Sequence, residues 1–137
     1  RNVHGQKHTW SGLELKPGGN PLKDLSGKTF DIKATLRPEG AEQAGFNIRG
    51  KRITYDAVKN KLHALGKSTP LDMHNESVKL RVVVDVASIE VFANEGRKVM
   101  SFSVPLDPKN TSLKLFTQGG STRVPSLTVW KCTSVWQ

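Results

Sequence analysis

The chain has 137 residues, 36% of them apolar and 24% charged, which suits one soluble globular domain around one core. No apolar run approaches the ~20 residues of a membrane-spanning helix, so no membrane partner is expected. The net charge is +9, but its basic residues are dispersed: Lys51-Arg52 and Arg97-Lys98 are pairs rather than stripes. No Gly-rich phosphate loop or RNA-module signature accompanies them, which argues against nucleic acid as a partner. A basic surface that keeps the protein soluble, or holds it near polyanions such as a cell wall, accounts for the charge.

Alternation and β-branched runs dominate, and helical periodicity is scarce. Thr29 to Leu36 alternates, with Phe30, Ile32, Ala34 and Leu36 on one face. Gly45 to Arg49 sets Phe46 and Ile48 against Asn47 and Arg49. Arg52 to Ala57 and Lys61 to Leu65 follow, with Lys59-Asn60 as a hairpin corner. Asp72 to Ser77 reads as short irregular or helical chain. Val78 to Asp85 and Ser88 to Ala93 form a pair. Lys98 to Val104, Ser112 to Thr117 and Ser126 to Val135 complete the strands. Turn signals separate them, among them Pro38-Glu39-Gly40, Asn94-Glu95-Gly96 and Gly119-Gly120. Many short strands at this spacing predict an all-β fold, a jelly-roll-like β-sandwich of two antiparallel sheets. Residues 1–137 are read as a single module. With Arg1 rather than Met at its start and no signal peptide, the chain is expected to be a mature fragment or an excised module.

Cys132 is the lone cysteine, so no internal disulfide is expected; that fits the cytosol and also a secreted bacterial protein. His4 and His8 lie four apart with no further ligand at zinc spacing. Neither a metal nor a cofactor is expected.

The most informative segment runs from Val78 to Gly96. Alternation places Leu80, Val82 and Val84 on one face, Arg81, Val83 and Asp85 on the other. After a tight turn near Val86-Ala87, Ile89 and Val91 return to the core face, so Glu90 joins Asp85 on the opposite one. Two carboxylates and Arg81 then share one surface.

The pattern Asp-x-x-Ser-x-Glu-x-Phe-x-Asn-x-Gly, filled by Asp85, Ser88, Glu90, Phe92, Asn94 and Gly96, resembles the hallmark of the C-terminal β-sandwich of glycoside hydrolase family 32. Ile53-Thr54-Tyr55-Asp56 with Lys61-Leu62 is similar to that domain's tyrosine-aspartate hairpin. Leu113-Lys114-Leu115-Phe116 before Gly119-Gly120 resembles its late strand and turn, and Ser126 to Trp130 with Ser134-Val135-Trp136 its final strand. The resemblance covers roughly residues 25 to 137. Val86 stands where that domain often has Arg, so whatever that Arg does in relatives does not carry over.

The family's catalytic motifs are missing. Asn20-Pro21 is followed by Leu22, Leu106 rather than Arg precedes Asp107-Pro108, and Lys131 rather than Glu precedes Cys132. Glycoside hydrolysis needs a carboxylate and a carboxylic acid flanking the scissile bond, and a catalytic propeller needs about twice this length. The chain is therefore expected not to be an enzyme. Two roles remain open: a structural sandwich packed on a catalytic domain, or a sugar-binding module. Carbohydrate-binding module family 66 is similar to this sandwich. That resemblance implies a secreted bacterial module that binds fructan, with a site for the terminal fructose of levan, and has a parent catalytic domain as its other partner.

Carboxylates accept from sugar hydroxyls, and Arg or Gln donates to them. Asp85 and Glu90 are the first candidates, against a structural role at the turn or a pairing with Arg81. Arg49 is a candidate donor, and so is Gln118, which sits at a strand end where site loops gather. Tyr55 supplies either an apolar wall or core. Among the tryptophans, Trp130 and Trp136 match positions that point to packing, and Trp10 is the freest sugar platform.

Overall fold

The computed structural model describes residues 2–134, with side chains described from residue 5 to residue 132. Trp136 and the side chain of His4 lie outside that range. Among the described residues eleven strands follow one another. They are β1 (Asn2–Leu15), β2 (Phe30–Glu39), β3 (Gln43–Ile48), β4 (Lys51–Asp56), β5 (Lys61–Ala64) and β6 (Lys67–Pro70), then β7 (Val78–Val84), β8 (Ser88–Ala93), β9 (Lys98–Ser103), β10 (Leu113–Gln118) and β11 (Ser121–Ser134). They form a six-stranded sheet in the order β1-β11-β2-β7-β8-β9 and a five-stranded sheet in the order β10-β3-β4-β5-β6. Every named strand pairing is antiparallel. This is the two-sheet sandwich that the alternation predicts.

The core lies between the sheets. Phe30, Ile32, Ala34 and Leu36 from β2 and Leu80, Val82 and Val84 from β7 meet Phe46, Ile48, Ile53 and Leu115 from the other sheet, all at most 4% exposed. Each of the larger of these side chains, taken out of water, contributes about 1.5–3 kcal/mol. Alternation in these strands was unbroken, so the buried face was readable.

Two strands escape that reading. The edge strand β1 pairs only with β11, from Asn2 opposite Ser134 to Leu15 opposite Thr122. Its alternation slips at Gly12, whose φ of 62° favours glycine. The register of β11 against β2 shifts between Arg123 and Ser126, where Pro125 supplies no N–H. Strand β6 is short, polar and closed by Pro70, as suits an edge. The stretch from 72 to 77 holds a tight turn instead of a helix: His74 and Ser77 exchange backbone bonds of 2.8 and 3.0 Å. At the Gly119-Gly120 turn the chain passes from one sheet to the other. A Cβ on Gly120 would lie 2.4 Å from the Gly40 carbonyl oxygen, so only glycine fits.

Candidate functional site

The β7–β8 hairpin carries the two leading candidates. Val84 lies opposite Ile89 and Val83 opposite Glu90, and the Asp85 N–H donates to the Ser88 carbonyl at 2.9 Å. Val86 and Ala87 are left as a two-residue connection, which preserves strand parity through the turn. Asp85 and Glu90 therefore both point away from the core, diagonal to one another. Asp85 is half-buried, and one of its oxygens accepts from the Val86 N–H at 2.8 Å. Glu90 is exposed, and among the described residues no hydrogen bond or ion pair reaches its carboxylate. Val86 is 60% exposed.

The other end of the hairpin is closed. Asn94 donates from Nδ2 to the Asp72 carbonyl at 2.9 Å and accepts from the Lys79 N–H at 3.0 Å. It is 8% exposed. Asn94, Glu95 and Gly96 all have positive φ, 50°, 61° and 87°, a run that makes Asn and Gly the suitable residues there. The sequence motif thus divides: Asn94 and Gly96 build the turn, while Glu90 and Phe92 face outward.

Around Glu90 the outer face of the six-stranded sheet holds donors and aromatic rings. Arg81 donates to both oxygens of Asp31, at 3.0 and 2.8 Å. This fork, against a carboxylate only 5% exposed, raises the guanidinium pKa further and locks its charge. Phe92 lies opposite Arg81 on the neighbouring strand. Trp130 lies opposite Asp31 on β11, with the ammonium groups of Lys7 and Lys33 5.5 and 5.6 Å from its ring centre. A shallow groove of about 540 Å³ on this face has Lys33, Lys79, Arg81, Phe92 and Glu95 in its lining; Asp85 and Glu90 do not line it. The arrangement can accept from hydroxyls at Asp85 and Glu90 and offers apolar ring surface beside them. Burial raises the pKa of the Cys132 thiol, and Asp31 and Asp85 add to the effect, so the thiol is a poor nucleophile.

The remaining candidates do not join Asp85 and Glu90. Arg49 is not a sugar donor: it is 4% exposed, and its guanidinium donates to the carbonyls of Asn110, Lys28 and Asp107 at 2.9, 3.0 and 2.9 Å. Its φ is 50°; it has left β3 for a turn, so strand parity no longer sets its direction. Tyr55 is not a sugar wall: it is fully buried, and its hydroxyl donates to the Leu71 carbonyl at 2.8 Å. Burial first, then Asp72 and Asp56, pushes its pKa up to about 12. Trp10 is not a free platform: it lies opposite Leu127, packs against the core and sits beside the His8 ring. Gln118 is exposed, but on the outer face of the five-stranded sheet, 3.5 Å from Arg52. It stands on the opposite side of the sandwich from Glu90.

Trp130, at a position where the sequence points to packing, is half-buried on the outer face of the sheet, beneath Lys7 and Lys33. Its parity was legible: with Leu127 and Val129 buried, Thr128 and Trp130 must point the other way. Among the described residues, no group of three or more His, Cys, Asp or Glu lies where it can hold a metal ion.

Comparison with known proteins places this architecture. Residues 2–131 match the family described as "Glycosyl hydrolases family 32 C terminal". The chain is 30% identical over 158 residues to a levanase of Bacillus subtilis (strain 168), covering 98% of this chain and 23% of that protein. It is 32% identical over 143 residues to a levanase of Bacillus sp. (strain L7), covering 88% and 16%. The chain thus spans less than a quarter of the length of these relatives. Among solved structures, an exo-inulinase from Aspergillus awamori superposes with a TM-score of 0.77 at 18% identity, over 97% of this chain and 30% of that one. Galectin LEC-6 of Caenorhabditis elegans superposes with a TM-score of 0.57 at 12% identity, over 93% and 94%. These structural likenesses show the sandwich fold. The family match shows more: the chain belongs to the C-terminal domains of the family 32 glycosyl hydrolases, the non-catalytic β-sandwich of those enzymes.

Proposed function

We propose that this domain binds fructan, taking the terminal fructose of levan, and holds a secreted bacterial hydrolase on its substrate. The observation that carries the reading is Glu90. It is an exposed carboxylate with no intramolecular partner among the described residues, set beside Asp85, Phe92 and the Arg81–Asp31 pair on one outer face. An unpaired acceptor next to a preorganised cation and an aromatic ring matches a ligand that presents hydroxyls on an apolar skeleton. The relatives named levanases support fructan as the polysaccharide, and the likeness to carbohydrate-binding module family 66 supports a chain-end site.

Affinity electrophoresis on levan, inulin and starch tests this. Retardation on levan is expected, and Asp85→Ala and Glu90→Ala are each expected to abolish it with the fold intact. A hydrogen bond to a charged group is worth about 1.5–3 kcal/mol, enough to remove a weak interaction. No retardation on any fructan overturns the reading. A second role then stands, in which the domain packs on its parent's catalytic domain. The apolar side chains of Val86 and Val99, 60% and 52% exposed, favour such a contact at the β8 side of the sheet.

A further inference from the structure

The outer face of the five-stranded sheet lies on the other side of the sandwich from Glu90, and its polar groups are poorly satisfied. The register aligns Phe116, Gly45, Thr54 and His63 in one row across β10, β3, β4 and β5, and Lys114, Asn47 and Arg52 in the next. A Cβ at Gly45 would lie 2.1 Å from the Ile53 carbonyl oxygen, so the position must be glycine. In that close approach the β4 backbone fills the place of a side chain at Gly45. Next to it the Arg52 guanidinium reaches to 4.3 Å from the Phe116 ring centre. Arg52 has no carboxylate partner among the described residues. Its Nη2 meets Gln43 Oε1 and Gln118 Oε1 at 3.4 and 3.5 Å, both at the long limit of a hydrogen bond.

A hollow lies on each side of Arg52. One, of about 240 Å³, is lined by Asn47, Phe116 and Gln118. The other, of about 560 Å³, is lined by Gln43, Thr54 and His63. Each has an orphaned oxygen in its lining: Asn47 Oδ1 and Thr54 Oγ1 are shut off from solvent and lack a hydrogen-bond partner. Thr54 is only 3% exposed. Unpaired buried oxygens are costly and rare in folded proteins, and two of them flank one underused guanidinium.

We propose that this face is a second saccharide site, which takes two neighbouring sugar residues of a chain, one on each side of Arg52. Sugar hydroxyls fit because each both donates and accepts. They accept from Arg52, and they donate to Asn47 Oδ1 and Thr54 Oγ1 once the side chains that close those oxygens off move aside. An oxyanion answers Arg52 but leaves Asn47 Oδ1 facing another acceptor, so a neutral polyhydroxylated ligand is the better match. The identity of the sugar as fructose rests on the reading above; the place of the site does not. With sites on both outer faces, one domain bridges two chains or two stretches of one chain, and gains avidity on polymer over oligomer.

Amide chemical-shift titration of the 137-residue chain with a β-2,6-linked fructo-oligosaccharide, and in parallel with gluco- and galacto-oligosaccharides, tests the proposal. The expected result is saturable shifts in β3, β4 and β10, separate from those around Glu90. Thr54→Val removes the hydroxyl at almost constant volume. It is expected to weaken binding on this face about two- to tenfold, the loss of one neutral hydrogen bond, with no change at Glu90 and with thermal stability unchanged or raised. Arg52→Met is expected to weaken it further. Amides of β3, β4 and β10 that stay still with every saccharide overturn the site, as do Thr54→Val and Arg52→Met variants that bind like the parent. A response to gluco- or galacto-oligosaccharides alone upholds the site and sinks the fructan reading.

Discussion

Arg49 and Arg81 look alike in sequence, each beside alternating aliphatic residues, and the sandwich uses them in opposite ways. Arg49 enters a turn, loses strand parity and is buried against three backbone carbonyls from residues 28, 107 and 110. Arg81 keeps its parity, stays half in solvent on the sheet surface and pairs with another side chain, Asp31. The first clamps loops that have no strand partners of their own. The second leaves a charged, immobilised group where a ligand can reach it. A polar side chain whose donors all end on backbone is committed to the fold, whereas one held by another side chain remains available to a binding face.

The largest expected effect falls on the committed group. Arg49→Met deletes the buried donor of three carbonyls and is expected to lower unfolding free energy by about 3 kcal/mol or more, measured by urea denaturation. The folded fraction should bind levan like the parent. A variant that keeps its stability and loses binding would reverse the comparison. Asn94→Ala comes next. It orphans the Lys79 N–H and the Asp72 carbonyl and should cost about 2 kcal/mol, again with levan retardation retained.

A pH dependence sharpens the same contrast. Backbone N–H groups of Lys59 and Val58 hold the Asp56 carboxyl below its ordinary value of 3.8, the Lys59 bond first, against the opposing effect of burial. Its folded pKa is depressed, so its contribution to stability is present above the unfolded value and lost as pH falls through the folded one. Acid unfolding curves should show that loss, and Asp56→Asn should flatten it. The smallest effect on the fold belongs to Glu90→Ala, where stability should stay within about 0.5 kcal/mol while fructan retardation disappears.

Much of the sandwich was legible because β2, β7 and β8 alternate without interruption, and a two-residue turn carries parity from Val84 to Ile89. The shared face of Asp85 and Glu90 follows from those two facts alone. Strand β1 was hidden, since Gly12 breaks its period and its partner β11 is bulged. Strand β6, Lys-Ser-Thr-Pro, carries no apolar alternation to read. Arg49 was misread because a non-glycine residue at positive φ leaves no mark in a hydrophobic pattern. Trp130 differs for another reason: the family resemblance points to packing at its position, although its neighbours set its direction. The hollows beside Arg52 could not be read at all. They depend on which side chains strand pairing sets beside Arg52, and that is a property of the paired strands and not of the local sequence.

The pairing of Asn2 with Ser134 has a mechanical consequence. The two ends of the described chain leave the sheet side by side, from the same end of one antiparallel ladder. Tension applied through both ends acts across that ladder and loads its rungs one at a time, so β1 should peel from β11 in sequence at low force. Tension applied through one end and a distant point on the sheet instead pulls along the strands and loads many hydrogen bonds at once. How far this sandwich resists pulling therefore depends less on its total stability than on which two points hold it.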